Sequence, residues 1–522
     1  MLLPLSFVDA SRFWLAAERS RDLRSKPMAE TTSPPLSSKR PSPAATLAGE
    51  PLSADICVIG GGAGGLHVAA TAAAFGRKVV LVEKHRMGGE SLAAGSIPSK
   101  ALLAAARRAH AFQTASDFGI ASVDPKTDHR IVQHYVRRVI SATAPNSSVE
   151  RFTGLGVQVI LGAARFLDKR TVLAGDYRIT ARRFVIATGS SPSVPDIPGL
   201  ETVSYFTSDT IFDNDRKLPH LVILGAGPTG LELAQAHARL GSRVTVLDVG
   251  RALTKEDPEA AAIALKSLRA EGIDLRESVK VERIERLAGL VRLHVATEDG
   301  PATVDGSHLL FATGRTPNVS DLNLEAAGIK YGAEGIAVNR GLRTSNGRIY
   351  AIGDVAAGGP RSTHASTWHA EIVLRRALFW LPAKADPALI PRVTFTEPEI
   401  AHVGLTEQEA RAAGHKINVL RWPFVENDRA EAERETAGHV KVVTTPRGRV
   451  LGATIVGAEA GELIHLWSLA VSQRLGIKAI AGTVAPYPTR SEASRRAAYR
   501  AYAATPSNPT LRKLIDLLAK LG

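Results

Sequence analysis

Ile56-Cys57-Val58-Ile59-Gly60-Gly61-Gly62-Ala63-Gly64-Gly65 runs from apolar residues straight into glycines at positions 60, 62 and 65. An alanine-rich stretch follows, then Val79-Val80-Leu81-Val82-Glu83. The order predicts a buried strand, a tight turn, a helix and a second buried strand. Each glycine has a use in such a unit: Gly60 for the tight turn, Gly62 for close approach of a pyrophosphate, Gly65 for close packing of the helix. The helix N-terminus supplies N–H groups and the positive end of its dipole. Glu83 stands 23 residues after Gly60, where an acidic side chain binds ribose hydroxyls.

The same order returns at mid-chain. Leu221-Val222-Ile223-Leu224 leads to Gly225, Gly227 and Gly230, a helix expected over Leu231 to Leu240, and Val244-Thr245-Val246-Leu247-Asp248. Asp248 follows Gly225 at the same offset of 23. Each copy is later followed by an apolar strand ending in Ala-Thr-Gly, first Phe184 to Gly189 and then Leu309 to Gly314. The chain therefore carries a duplicated α/β unit and should hold two dinucleotides. Asp248 would repel a 2′-phosphate and favours NADH, while the nearby Arg251 leaves NADPH open.

A chain of 522 residues should divide into about three domains. Its 65 basic and 51 acidic side chains give +14, a charge that attracts phosphates. That charge is spread out, without zinc spacing or a basic recognition helix, which argues against nucleic-acid binding. No apolar run is long enough to span a bilayer, and Leu2 to Val8 has no basic segment before it, so a cytoplasmic enzyme is expected. Cys57 is the only cysteine, so neither an intramolecular disulfide nor a thiolate metal cage is expected, and no metal site is assigned. Residues 1–50, rich in Ser, Pro, Ala and Arg, read as a disordered extension. Leu511 to Leu521 reads as a short cationic amphipathic helix. Packing on its own chain or a dimer partner is favoured over membrane contact.

Gly88-Gly89-Glu90-Ser91-Leu92-Ala93-Ala94-Gly95-Ser96-Ile97-Pro98-Ser99-Lys100-Ala101-Leu102 resembles the redox segment of the pyridine nucleotide-disulfide oxidoreductases. The resemblance runs from about Ala54 to Ala503 and includes Ala351-Ile352-Gly353-Asp354 and Phe395-Thr396-Glu397-Pro398-Glu399. It implies an α/β fold with two Rossmann-like domains and a C-terminal α+β dimerisation domain, as a homodimer. The implied segments are an FAD-binding domain over 51–195, an NAD(P)-binding domain over 196–320, an FAD-domain return over 321–388, a dimerisation domain over 389–506 and a tail over 507–522. FAD would be held by Gly60, Gly62, Gly65, Glu83, Gly89, Ser91, Gly162, Thr188, Gly189, Ser190 and Asp354. His364 would begin a helix aimed at the flavin pyrimidine. Gly225, Gly227, Gly230, Asp248 and Gly314 would hold the nicotinamide dinucleotide, and Lys100 and Glu232 would form an ion pair near flavin N5.

The resemblance breaks where the chemistry is done. Both cysteine positions of the redox segment are serine, Ser91 and Ser96, and a hydroxyl can neither form a charge-transfer thiolate nor close a disulfide. An engineered change or natural loss would both produce this, and the divergent neighbours Leu92-Ala93-Ala94 favour natural loss. Where the family's dehydrogenases carry His-Pro-Thr before Ser-Glu, this chain has Tyr487-Pro488-Thr489-Arg490-Ser491-Glu492. Tyr487 is a poor base at neutral pH but a usable proton donor, or packs at a dimer interface, and Glu492 loses its usual partner. The catalytic candidates are thus Lys100, Glu232, Tyr487 and Glu492. The expected activity is an FAD-dependent NAD(P)H:acceptor oxidoreductase whose acceptor is a second nicotinamide, a quinone or another small molecule that is not a disulfide. Two alternatives stand beside it: a member by descent with impaired dithiol chemistry, and a catalytically silent FAD-binding redox sensor.

Overall fold

Apolar residues on consecutive strand positions, as in Cys57–Ile59 and Leu221–Leu224, mark strands covered on both faces, the signature of a parallel sheet between helices. The computed structural model, which describes residues 50–521, contains two such sheets. The first has seven strands: Val157–Leu161, Val79–Glu83, Glu50–Ile59, Tyr177–Ile186 and Ile349–Ala351 run parallel, and Thr171–Ala174 and Ala164–Phe166 extend it antiparallel from Tyr177–Ile186. The second orders Asp274–Arg276, Arg243–Leu247, His220–Leu224, His308–Phe311 and Tyr205–Thr207 in the same sense. Ile349–Ala351 reaches the first sheet from beyond the second unit.

The expectation of disorder over 1–50 lies outside the described residues except at Glu50, where it needs correction. The first strand already begins there, and Glu50 pairs with Tyr177. Only the second half of that strand is buried, which is why apolar patterning marks it from about Ile56 onward. An antiparallel sheet of three strands, Lys280–Leu287, Leu290–Thr297 and Gly300–Gly306, is inserted before the last part of the second unit. A ribbon of Ser190–Pro192 against Arg315–Pro317 ties the two units together.

Beyond residue 390 the chain forms a five-stranded antiparallel sheet, ordered Arg392–Thr394, Glu399–Gly404, Val450–Gly457, His439–Thr444 and Asn418–Pro423. The helix Ala460–Ser472 covers it and buries Trp467 completely. Ala101 and Ala106 of the helix Ser96–Gln113, Leu231 and Ala234 of the second unit, and Ile400 and Val456 of this sheet share one apolar core. That shared core sets the relative positions of the three regions around one cleft.

Candidate functional site

Both glycine turns open into a single cleft of 2720 Å³. Pockets for one small ligand run to about 300–1,000 Å³, so the cleft has room for more than one. In the first turn Gly60 has φ +110°, and a side chain there would place its Cβ 2.3 Å from the Ala187 carbonyl oxygen. A Cβ on Gly65 would stand 1.9 Å from the Gly60 oxygen, whereas one on Gly62 would face only Gly89, at 4.0 Å. The outer glycines close the turn and the middle one leaves space before the N-terminus of the helix Ala63–Ala74. This is the cradle a pyrophosphate requires. Glu83 braces it, accepting the Gly61 N–H at 2.6 Å and the His85 N–H at 2.7 Å.

The second turn repeats the geometry with other residues. A Cβ on Gly225, at φ +107°, would lie 2.4 Å from the Ala312 oxygen, and one on Gly230 would lie 2.0 Å from the Gly225 oxygen. Gly227 has nothing within 4 Å of the same point. Asp248 accepts from the Ala226 N–H at 2.7 Å and the Gly250 N–H at 2.8 Å. Gly162, Thr188, Gly189, Ser190, Gly314, Asp354 and His364 also line the cleft. Ser190 Oγ donates to Asp354 at 2.7 Å, and Thr188 is tied to Asn318. The residues present fit two bound dinucleotides.

Between the turns lies the redox segment. Its helix runs Ser96–Gln113, with Pro98 in the first turn where a missing N–H is tolerated. Lys100 on this helix meets Glu232 of the helix Pro228–Arg239 at 2.8 Å, and its ammonium sits 4.1 Å from the Phe395 ring centroid. Glu232 is nearly buried, and its second oxygen accepts the Phe395 N–H at 2.9 Å. A charge pair held on both sides in this way fixes the lysine's rotamer. The Ser91 and Thr363 hydroxyls are 2.7 Å apart, and Ser96 reaches the same Thr363 hydroxyl at 3.3 Å. Ser91 and Ser96, at the positions where the resemblance places cysteines, thus converge on one side chain. Cys57 offers no replacement, because burial in the first strand pushes its thiol up to about 12.

Several residues of the site carry no signal that a reading of glycines finds. Glu232, Gln235 and Arg239 lie on one helix face and engage the loop Phe395–Glu399. Gln235 takes the Glu397 N–H at 2.8 Å and donates to the Glu397 carbonyl at 2.9 Å. Arg239 binds the carboxylates of Glu271 and Glu397, and Arg107, two turns beyond Lys100, reaches Glu397 and Glu399. Polar residues at this spacing on an otherwise apolar helix were the available clue. Arg315 bonds Ser190 Oγ at 2.8 Å and approaches Asp209 at 3.1 Å and Glu90 at 3.4 Å. Partial burial raises the Glu90 carboxyl above its ordinary value, against the pull of Arg315.

Of the remaining expected residues, His364 lines the cleft and Tyr487 and Glu492 do not. His364 is the second residue of its helix, which starts at Thr363 under a Ser362 cap, and its ring is held by the Pro391 carbonyl at 2.6 Å. Tyr487 is 69% exposed and donates to Asp428 at 2.8 Å, a bond that raises its phenol above the usual range. Glu492 pairs with Arg496 at 2.8 Å. Neither Tyr487 nor Glu492 lines the cleft of its own chain, so one chain brings only Lys100 and Glu232 of the four catalytic candidates together.

Residues 54–370 match the family model described as pyridine nucleotide-disulphide oxidoreductase, and residues 390–498 match the dimerisation domain of the same family. The chain belongs to the pyridine nucleotide-disulphide oxidoreductase family. Among its relatives, a mercuric reductase of Lysinibacillus sphaericus is 34% identical over 447 residues, 85% of this chain and 82% of that one. A dihydrolipoyl dehydrogenase of Geobacillus stearothermophilus is 33% identical over 450 residues, 84% of this chain and 94% of that one. LpdA from Mycobacterium tuberculosis superposes with a TM-score of 0.78 at 28% identity, covering 86% of this chain and 99% of its own. As a member of this family the chain is an FAD-dependent NAD(P)H oxidoreductase, and its dimerisation domain supports a homodimer. No helix among the described residues is long and apolar enough to cross a membrane.

Proposed function

We propose that this enzyme takes hydride from NADH and passes the electron pair to a small acceptor that is not a disulfide. The observation that carries the reading is the pairing of Ser91 and Ser96 with Thr363, in the segment where the family's dithiol would stand. Hydroxyls at those positions have no thiolate to exchange, and the one thiol of the chain is sealed in a strand. Bound FAD supplies the two-electron relay between nicotinamide and acceptor.

The protein's part is to bind, orient and hold charge. Gly60, Gly62 and Gly65 admit one pyrophosphate to the helix Ala63–Ala74, and Gly225, Gly227 and Gly230 admit the other to the helix Pro228–Arg239. Glu83 and Asp248, already oriented by backbone N–H groups, have lone pairs left for ribose hydroxyls. The Asp248 carboxylate disfavours a 2′-phosphate, which supports NADH over NADPH. Lys100 keeps a positive charge in the cleft, and Glu232 and Phe395 hold it in place. Tyr487 and Glu492 enter this reading only as residues that a second copy of the chain would bring to the cleft. A second nicotinamide or a quinone fits the acceptor role, since both accept an electron pair without sulfur chemistry.

Anaerobic addition of NADH to the yellow protein should bleach the flavin without producing a long-wavelength thiolate-to-flavin band. Steady-state turnover should then appear with a nicotinamide analogue or a quinone and be absent with lipoamide and mercuric ion. Robust lipoamide turnover would overturn the proposal. Failure of NADH to bleach the flavin would favour the silent sensor.

A further inference from the structure

The interface domain ends in a stretch with almost no cover. From Tyr499 to Leu521 every residue is exposed except Leu511, which is half-buried. The chain nevertheless builds a defined helix there, Pro509–Leu518. Asn508 caps it by accepting from Thr510 at 3.0 Å and Leu511 at 3.3 Å, and Pro509 occupies the first helical position. Of the two expected packings, on its own chain or on a dimer partner, the first is confined to the half-buried Leu511, since none of the helix's residues is buried.

At helical spacing Leu511, Leu514, Ile515 and Leu518 fall on one side, flanked by Leu517 and Leu521. Of these, Leu514 is 48%, Ile515 55%, Leu518 55% and Leu521 77% exposed. Arg512, Lys513 and Lys520 occupy the other side with a single acid, Asp516. The side chains are therefore sorted as an interfacial helix requires: aliphatics for the acyl boundary and cations for phosphate headgroups.

We propose that Pro509–Leu521 lies in the plane of a membrane bearing anionic lipids and holds the enzyme at that surface. Charge complementarity selects this occupant over a second copy of the helix. Two such helices face to face would bury the aliphatics but give Arg512, Lys513 and Lys520, on the far side, no anionic partner across the contact, on a chain of net charge +14. An anionic bilayer satisfies both faces at once. The contact is monotopic, and the tail does not line the cleft.

The test uses full-length, flavin-loaded protein sedimented with vesicles of phosphatidylcholine alone or of phosphatidylcholine with phosphatidylglycerol. Binding should favour the anionic vesicles by at least about tenfold and fall with added salt. The double variants Leu514→Glu with Leu518→Glu, and Arg512→Glu with Lys513→Glu, should each abolish it while flavin content and bleaching by NADH stay unchanged. Absence of wild-type binding, or equal binding by the variants, would overturn the proposal. So would conversion of a dimer to a monomer by the Leu514/Leu518 variant in sedimentation velocity, which would assign the apolar face to a second copy.

Discussion

The two glycine turns are built alike and used differently. Each has a closing glycine at positive φ and a third glycine against the first. Each also has an acid at the end of the next strand that binds the N–H after the first glycine, Glu83 to Gly61 and Asp248 to Ala226. Their helices then diverge. Ala63–Ala74 presents small residues to the helix Thr363–Leu378, and a Cβ on Gly64 would come within 2.9 Å of the Ser366 carbonyl oxygen. Pro228–Arg239 instead buries Glu232, Gln235 and Arg239 against the redox helix and the Phe395–Glu399 loop. The middle glycines differ as well, Gly62 lying under Gly89 and Gly227 facing open space. A duplicated fold thus yields one turn that lies beneath the redox segment, and one that faces open space while its helix carries Glu232 to Lys100.

The largest expected effect comes from closing either turn. Gly60→Ala should yield protein with less than about one-tenth of the usual flavin, because the new Cβ meets a backbone carbonyl that cannot yield. Gly225→Ala should keep its flavin, while bleaching by NADH slows about 100-fold. Flavin absorbance and stopped-flow reduction read the two outcomes, and equal flavin loss in both would erase the contrast. Next, Glu232→Gln should leave flavin content intact and slow the reduction step by about 10²-fold, since Lys100 loses the charge that holds it. An unchanged rate would show the carboxylate to be structural only.

A smaller effect is expected at the acid of the second turn. Asp248→Asn should raise the ratio of kcat/KM for NADPH over NADH by about tenfold, and the equivalent Glu83→Gln change should leave that ratio alone. The smallest effect concerns acid stability. Burial in the second helix lowers His237 from 6.5 to about 4, and neither of its ring nitrogens has a partner. Burial also lowers His67 on the first helix, but Glu371 opposes the shift. A histidine depressed in the folded state leaves the unfolded chain with more protons below 6.5, so its contribution is intact above 6.5 and lost as pH falls towards 4. His237→Leu should therefore flatten the fall of Tm by several degrees across this window. A curve parallel to wild type would remove His237 as the cause.

The local part of the architecture is legible in the sequence. Apolar runs ending in glycine locate both nucleotide turns, because a buried parallel strand must be apolar on both faces and only glycine tolerates φ near +110° beside a neighbouring carbonyl. Polar outer halves of strands were less visible, as at Glu50–Ser53, since nothing in their composition separates them from a linker. Resemblance located Lys100 and Glu232 as a pair. It did not reveal the Gln235 and Arg239 clamp on Glu397, which lies more than a hundred residues further along the chain.

What the sequence determined by itself is therefore the duplicated dinucleotide unit, the family, and the serines at positions 91 and 96, each written in residues that stand close together. Tertiary structure alone decided that Ser91 and Ser96 share Thr363, that Tyr487 and Glu492 stand outside their own chain's cleft, and that the terminal helix buries no residue against its own chain. The physical reason is range. Backbone geometry and burial leave a periodic trace in neighbouring residues, whereas a hydrogen bond between residues 272 positions apart leaves none.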